Sequence, residues 1–352
     1  MDGPILHLFG SPSSAFWDEL SCLYARGASD ALEVHERFLH CHVAPDGSWA
    51  FPVGPHPVAI ANAPRMSVGE AATHIVAAAP RCALPQMFCH AGMTDLRGFV
   101  EALGIPLIGN RPEVMAICAD KVWAKAIVAQ AGVATPAAQV VTRGELVDAA
   151  FPAVVKPALA DNSEGIALVS DAAQLDAALD EAFAHGSRVL VEDFVPLGRE
   201  VRCGVVEQGD RPVALPLEEY RVDPQDRPIR RAQDKLAPDT TGKLALQAKT
   251  DSESWIVAAD DPVIPAVHEA AIACHRALGC RDYSLFDFRI DPAGKPWFLE
   301  AGPYCSFAPD SVLTTMVAAA GTPLPEFLAQ MADRAIARHP RPKGHADGHQ
   351  AA

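Results

Sequence analysis

Across residues 1–111, short apolar runs trade places with stretches of helical spacing. Ile5–Phe9 reads as a buried strand, and Phe16, Leu20, Leu23 and Tyr24 mark a helix over Phe16–Arg26. Ala83–Phe88 and Leu107–Gly109 read as further strands, with a helix over Leu96–Leu103 between them. Strand and helix in alternation predict a parallel α/β layer. One long helix follows over Glu113–Ala131, closed by Gly132 at the C′ position.

A second rhythm begins near Val133. Ala153-Val154-Val155-Lys156-Pro157 is an apolar strand ending in lysine, Asp161–Gly165 is a polar turn, and Ile166–Val169 is a strand. Asp171 caps a helix through Phe183, and Val189–Phe194 is another strand. Glu200–Leu217 reads as a hairpin turning at Gln208-Gly209-Asp210. Tyr283–Ile290 and Pro296–Leu299 pair around Asp291-Pro-Ala-Gly294, after a helix over Pro262–Leu278. The irregular, polar segment Asp223–Lys249 lies inside this pattern, where a long loop is more often a lid than a void. The expected class is α/β (α+β) in three subdomains, 1–111, 112–190 and 191–338, with residues 339–352 a disordered tail.

Composition narrows the partners. The chain has 352 residues, enough for several cores, and a net charge of −15. That acidity argues against nucleic acid or an anionic membrane as partner. The ILHLFG run is too short for a signal sequence, and no apolar stretch reaches the roughly 20 residues that cross a bilayer. The nine cysteines are scattered without a CxxC pair, which predicts reduced thiols in the cytoplasm. His40-Cys41-His42 alternates like a strand of mixed burial rather than a zinc motif.

The chemistry starts with carboxylates. Asp287 in one strand and Glu300 at the end of the next fall at one level of a hairpin. Two adjacent acids repel unless a cation lies between them, and hard oxygen donors on rigid strands suit magnesium with nucleotide phosphates. Lys156 at the inner end of a buried strand calls for an anionic partner. The polar turn Asp161–Gly165 offers backbone N–H groups to phosphate.

Taken in order, Lys121, Lys156-Pro157, Glu192-Asp-Phe194, Glu200, Asp287-Phe-Arg289 and Glu300-Ala-Gly302 resemble the ATP-grasp ligases, and most of all the D-alanine–D-alanine ligase family, over residues 105–320. The resemblance implies ATP held between the central and carboxy-terminal subdomains, with Lys121, Lys156 and Ser163 at the phosphates. It implies Glu192 and Phe194 at adenine, Glu200 at ribose, Asp287 and Glu300 on Mg2+, and a homodimer. Ser311, with nearby Ser306, would take an amino-acid carboxylate, and Arg230, Arg231 and Lys235 would close with the lid. Departures matter equally. Gly302 stands where the family has a metal-binding asparagine, and Leu285 where it has an arginine. Arg289 shares a face with Asp287 and is the expected substitute. The family's amino-terminal glutamate has no counterpart in Gly10–Leu20.

A narrower resemblance fits these departures. Leu84-Pro-Gln-Met-Phe-Cys89, Leu215-Pro-Leu-Glu-Glu-Tyr220, Arg281-Asp-Tyr-Ser-Leu-Phe-Asp-Phe-Arg289 and Glu300-Ala-Gly-Pro-Tyr-Cys-Ser-Phe307 are similar to the ligases that complete mycosporine-like amino acids. It implies ATP-dependent joining of serine, threonine or glycine to mycosporine-glycine. The alternatives are a D-alanine–D-alanine or other dipeptide ligase, and a nucleotide-binding regulator without catalysis.

Overall fold

The computed structural model describes residues 3–160, 164–223, 228–229, 236–238, 244–246 and 253–339. The amino-terminal layer contains β1 (Ile5–Gly10), α1 (Ala15–Leu32), β2 (Phe38–Val43), β3 (Trp49–Ala50), α2 (Pro57–Asn62), α3 (Val68–Ala78), β4 (Cys82–Pro85), α4 (His90–Met93) and α5 (Asp95–Ala102). Its sheet has the order β3-β2-β1-β4, with β1 parallel to both neighbours, as the alternation predicts. β1 is buried along its whole length because helices cover both faces. Leu6 and Leu8 enter the core against Ala71, Ile75 and Val100, while Ile5 packs with α1. Each such side chain contributes about 1.5–3 kcal/mol. The triplet His40-Cys41-His42 is buried throughout, not of mixed burial, because β2 is covered on both sides.

The predicted helix over Glu113–Ala131 is two helices, α6 (Pro112–Ala119) and α7 (Lys121–Gln130). Asp120 breaks it by adopting extended backbone and accepting from the Val122 and Trp123 N–H groups. An aspartate in this role satisfies donors that a continuing helix would not leave open. The break turns Lys121 onto the first turn of α7, where its N–H donates to the Ala158 carbonyl.

A second sheet holds β5 (Ala138–Thr142), β6 (Ala153–Pro157), β7 (Ala167–Val169) and, after α8 (Leu175–Ala184), β8 (Arg188–Asp193), in the antiparallel order β5-β8-β6-β7. Asp171 caps a single 3-10 turn ahead of α8. The third sheet contains β9 (Arg199–Gln208), β10 (Arg211–Ala214), β11 (Glu218–Tyr220) and, beyond the short pair β12 (Leu236–Pro238) and β13 (Leu244–Leu246), β14 (Ser254–Ile256). After α9 (Ile264–Ala277) come β15 (Tyr283–Ile290) and β16 (Pro296–Ala301), then α10 (Val312–Ala319) and α11 (Leu324–Arg338). Its order is β14-β11-β9-β15-β16, with β10 hairpinned to β9.

The alternation in this third sheet positions the site. Val201, Cys203, Val205, Phe286, Phe288 and Ile290 pack on one face against α6, α7 and α9. The period of two then sends Glu200, Arg202, Asp287 and Arg289 to the other face. Among the described residues, no single helix is long and apolar enough to cross a membrane. The tail from residue 340 and most of the Asp223–Lys249 segment lie outside the described residues.

Candidate active site

Asp287 and Glu300 are register partners across β15 and β16, as the hairpin pattern requires. Arg202 faces Asp287 from β9 on the other side, and its Nε donates to Asp287 Oδ1 at 2.7 Å. Glu218 is opposite Arg202 in turn. One row across four strands thus carries Glu218, Arg202, Asp287 and Glu300. The Arg202 guanidinium stacks over Tyr220 at 4.9 Å. Lys121 Nζ lies 3.7 Å from Glu300 and also donates to the Ala160 carbonyl. The two acids are therefore flanked by a cation on each side.

A buried clamp sits beside them. Glu192 is 3 % exposed, and its two oxygens face Lys156 at 2.8 Å and Lys125 at 3.1 Å. Burial alone would raise the Glu192 pKa, but the Lys125 and Lys156 ammonium groups hold it below the usual carboxylate range. Burial also pulls Lys125 down to about 8, against the opposing attraction of Glu192. The Glu192 carboxylate, expected at adenine, is thus committed to the lysines. The expectation that Lys156 needs an anion holds, with Glu192 supplying one.

Between the two sheets a cleft is lined by Pro136, Val154, Lys156, Ile166, Glu192, Asp193, Val195, Glu200, Ile229, Asp287, Arg289, Leu299 and Glu300. Val154, Ile166, Val195, Ile229 and Leu299 give the cleft apolar surface, and Lys156, Asp287 and Glu300 are among the charged groups that line it. Phe194 does not line the cleft; it packs beneath the Arg289 guanidinium at 5.2 Å. Arg289 donates to Glu200 Oε1 through Nε (3.1 Å) and Nη2, and to the carbonyls of Val195 (3.1 Å) and Pro228 (2.7 Å). It is buried with its donors on Glu200 and two carbonyls, so although it shares a face with Asp287 as expected, it is not the cation paired with that acid. The cation touching Asp287 is Arg202.

A second cavity adjoins the first at Glu300, which lines both. Trp17, Phe88, His90, Met93 and Tyr304 form its outer walls, with Lys121, Ala160 and Glu164 toward the first cleft. Ser306 and Ser311 line neither cavity. The Ser311 hydroxyl is spent on the Ser306 and Ala308 carbonyls (both 2.8 Å) and on Thr314, while Ser306 bonds Gln86 and the Ala308 N–H. Both serines hold the loop together instead of facing a substrate. Ser163, Arg230, Arg231 and Lys235 lie outside the described residues. Asp18, Cys22 and His42 bring their donor atoms within 4.8 Å of one another. Arg65, however, contacts His42 Nδ1 at 3.0 Å while Nε2 meets Asp18 at 2.8 Å. A cation against the outer nitrogen is the reverse of the acceptor that a metal-bound histidine needs.

The model of the D-ala D-ala ligase C-terminus family matches residues 127–333, more than half of the chain. The chain belongs to this family. A D-alanine–D-alanine ligase of Mycobacterium tuberculosis is 32 % identical over 251 residues, 69 % of this chain and 65 % of that protein. The protein y4sG of Sinorhizobium fredii is 30 % identical over 210 residues, 59 % of each chain. The matched region therefore spans 59–65 % of the length of these curated relatives. Among solved structures, the VanG D-Ala:D-Ser ligase of Enterococcus faecalis superposes with a TM-score of 0.75 at 22 % identity, covering 95 % of this chain and 100 % of that one. The D-alanine–D-alanine ligase of Coxiella burnetii gives 0.74 at 19 % identity, covering 96 % and 95 %. The ATP-grasp fold expected from the motif order is the fold of this D-Ala-D-Ala-ligase-like chain.

Sequence reasoning missed Lys125, Arg202 and Trp17. Lys125 lies one helical turn after Lys121, a spacing that puts both on one face. Arg202 is two residues beyond Glu200 in a strand, the same-face signal used for Arg289. Trp17 carries no such signal, because only the packing of α1 brings it to the cavity. The donor set fits magnesium: two carboxylates side by side, each partly exposed, leave positions for further oxygen ligands. Gly302 contributes no side chain, and its N–H donates to the Leu285 carbonyl.

Proposed function

We propose that this chain is an ATP-dependent, ADP-forming ligase that makes a C–N bond. The supporting observation is the Asp287–Glu300 pair, flanked by Arg202 and Lys121 and placed where two cavities meet. In this reading Asp287 and Glu300 hold Mg2+, which would neutralise phosphate charge. Lys121 and Lys156 steady the transferring phosphoryl group, Lys156 turning from Glu192 toward it. Glu200 and the apolar walls take the nucleoside. The second cavity takes the acceptor substrates.

The names of the relatives support a dipeptide ligase of the D-alanine–D-alanine type. The second cavity favours a larger substrate, because Trp17, Phe88 and Tyr304 offer flat apolar surface to a ring. Asp18, the acid next to Trp17, is turned to His42. With the motifs quoted above, this supports mycosporine-glycine and an amino acid as the substrates. There the ring carbonyl oxygen takes the γ-phosphoryl group and ADP leaves. The amine nitrogen adds to that carbon and loses protons, and phosphate departs with the oxygen, leaving a C=N bond. Exclusion of water by the walls protects the phosphorylated intermediate.

The test is ADP release with Mg2+ and ATP, with product masses recorded. Release that depends on mycosporine-glycine plus serine, threonine or glycine supports the larger substrate. D-alanyl-D-alanine from D-alanine alone supports the dipeptide reading. No turnover with either pair counts against the ligase itself. A homodimer is part of the proposal and is checked by light scattering.

A further inference from the structure

Gln86 joins the amino-terminal sheet to the loop that follows β16. Its side chain is fully buried, and its Oε1 accepts from the Phe307 N–H at 3.0 Å and the Ser306 hydroxyl at 3.2 Å. A backbone N–H can only donate, which fixes the amide with oxygen toward the loop and nitrogen toward His7. Nε2 lies 2.7 Å from His7 Nε2. That ring nitrogen must accept, so the neutral His7 ring carries its proton on Nδ1. Nδ1 is 3.2 Å from His40 Nδ1, which accepts in turn and leaves the His40 proton on Nε2. Nε2 meets the Glu33 carboxylate at 2.6 Å. With neutral rings and an ionised Glu33, each link has one donor and one acceptor only in this direction. Reversing it would set Gln86 NH2 against the Phe307 N–H. Burial and His40 lower the His7 pKa, and burial lowers that of His40 against the pull of Glu33, which keeps both rings neutral.

The two sides of the Gln86–loop contact lead into two walls of the second cavity. Gln86 opens the segment that supplies Phe88, His90 and Met93, and Ser306–Phe307 belong to the loop that supplies Tyr304. The Phe88 and Tyr304 rings are 6.3 Å apart across that junction. Gln86 itself is held by its N–H to the Leu8 carbonyl and by the Ser21 hydroxyl on its own carbonyl. Gln86, His7, His40 and Glu33 do not line either cavity, so they act from behind the wall.

We infer that Gln86, oriented by His7, His40 and Glu33, is a positioning residue that sets the width of the second cavity by locking the Ser306–Phe307 loop to the segment behind Phe88. Its catalytic consequence rests on the reading of that cavity as the acceptor site; the lock itself does not. Nitrogen-15 NMR of the histidine rings at neutral pH should show the proton of His7 on Nδ1 and that of His40 on Nε2. The Phe307 amide should exchange slowly, and Gln86→Leu should speed that exchange at least about tenfold by removing its acceptor. In turnover, Gln86→Leu and His40→Phe should raise KM for the acceptor substrates roughly tenfold, the scale of one lost buried hydrogen bond, with KM for ATP within about twofold. His40→Gln, which keeps a donor and an acceptor, should restore most of that loss. The opposite tautomer on either ring, or unchanged Phe307 exchange in a folded Gln86→Leu protein, overturns the lock. Equal rises in both Michaelis constants, or no rise in either, overturn its positioning role. If no substrate turns over, the ligase reading fails while the tautomer and exchange results still decide the lock.

Discussion

The two cavities that meet at Glu300 are built on opposite plans. The first cleft takes its charged groups from strands, so Asp287, Glu300 and Glu200, with Arg202 against Asp287, fall into rows that the sheet register enforces. The second cavity takes Trp17 from the first turns of α1, Phe88 from a connecting segment and Tyr304 from a loop. Register is rigid and repeats every second residue; loops are placed by whatever they pack against. A cleft whose charges are set by strand register can keep its chemistry while a cavity closed by helix ends and loops is reshaped for another substrate.

The comparison can be broken most sharply at its charged row. Asp287→Asn should lower ATP turnover by roughly 10²–10³-fold, since charge on the transferring group loses its partner. A variant that retained near-full ADP release would remove the metal role from the row. The buried clamp comes next. Lys125→Met leaves the buried Glu192 with one ammonium in place of two and should cost about 3 kcal/mol in denaturant unfolding. Adding Glu192→Gln should recover part of that loss; a double variant no more stable than the single would show that the two do not act as a pair. Trp17→Ala should raise KM for the acceptor substrates roughly tenfold, in line with the apolar area removed, and leave KM for ATP unchanged. The same rise for ATP would mean that the two cavities are not independent.

A smaller effect concerns pH. Lys125 is held down to about 8, so its charge is present below that value and lost above it. Loss of the charge strengthens the claim of Glu192 on Lys156 and withdraws Lys156 from phosphate. The value of kcat/KM for ATP should therefore fall as pH rises through about 8. Lys125→Arg should remove that limb, because a guanidinium stays charged. A profile for the variant that matches the parent would assign the limb to another group.

The third sheet was legible in the sequence because it is regular. Tyr283–Ile290 falls on β15 as read, and the Asp291–Gly294 turn supplies the positive-φ glycine and the aspartate that accepts from Ala293 and Lys295. The pairing of Asp287 with Glu300 followed directly. Arg289 was misplaced for a different reason: a shared face says which way a side chain leaves the strand, not which neighbour it meets. Its neighbours are Glu200 on β9 and the Pro228 carbonyl, which strand pairing and a distant segment provide. Ser306 and Ser311 were read as substrate contacts by position, yet each finds nearer partners inside its own loop. The helix break at Asp120 was in the sequence as an N-cap residue before Lys121, but apolar periodicity on both sides concealed it.

What the sequence determined by itself were the periodic elements, the order of the motifs and the residues that alternate onto the open face of the third sheet. These follow from local rules, in which side chains alternate on strands and recur by turns on helices. Only the tertiary structure decided which charges pair, namely Arg202 with Asp287, Arg289 with Glu200, and two lysines with Glu192. It also decided that Trp17, Phe88 and Tyr304 line one cavity, and that Gln86 links to Glu33 through two histidines. Those outcomes depend on distances between segments far apart in the chain, and no local pattern encodes a distance.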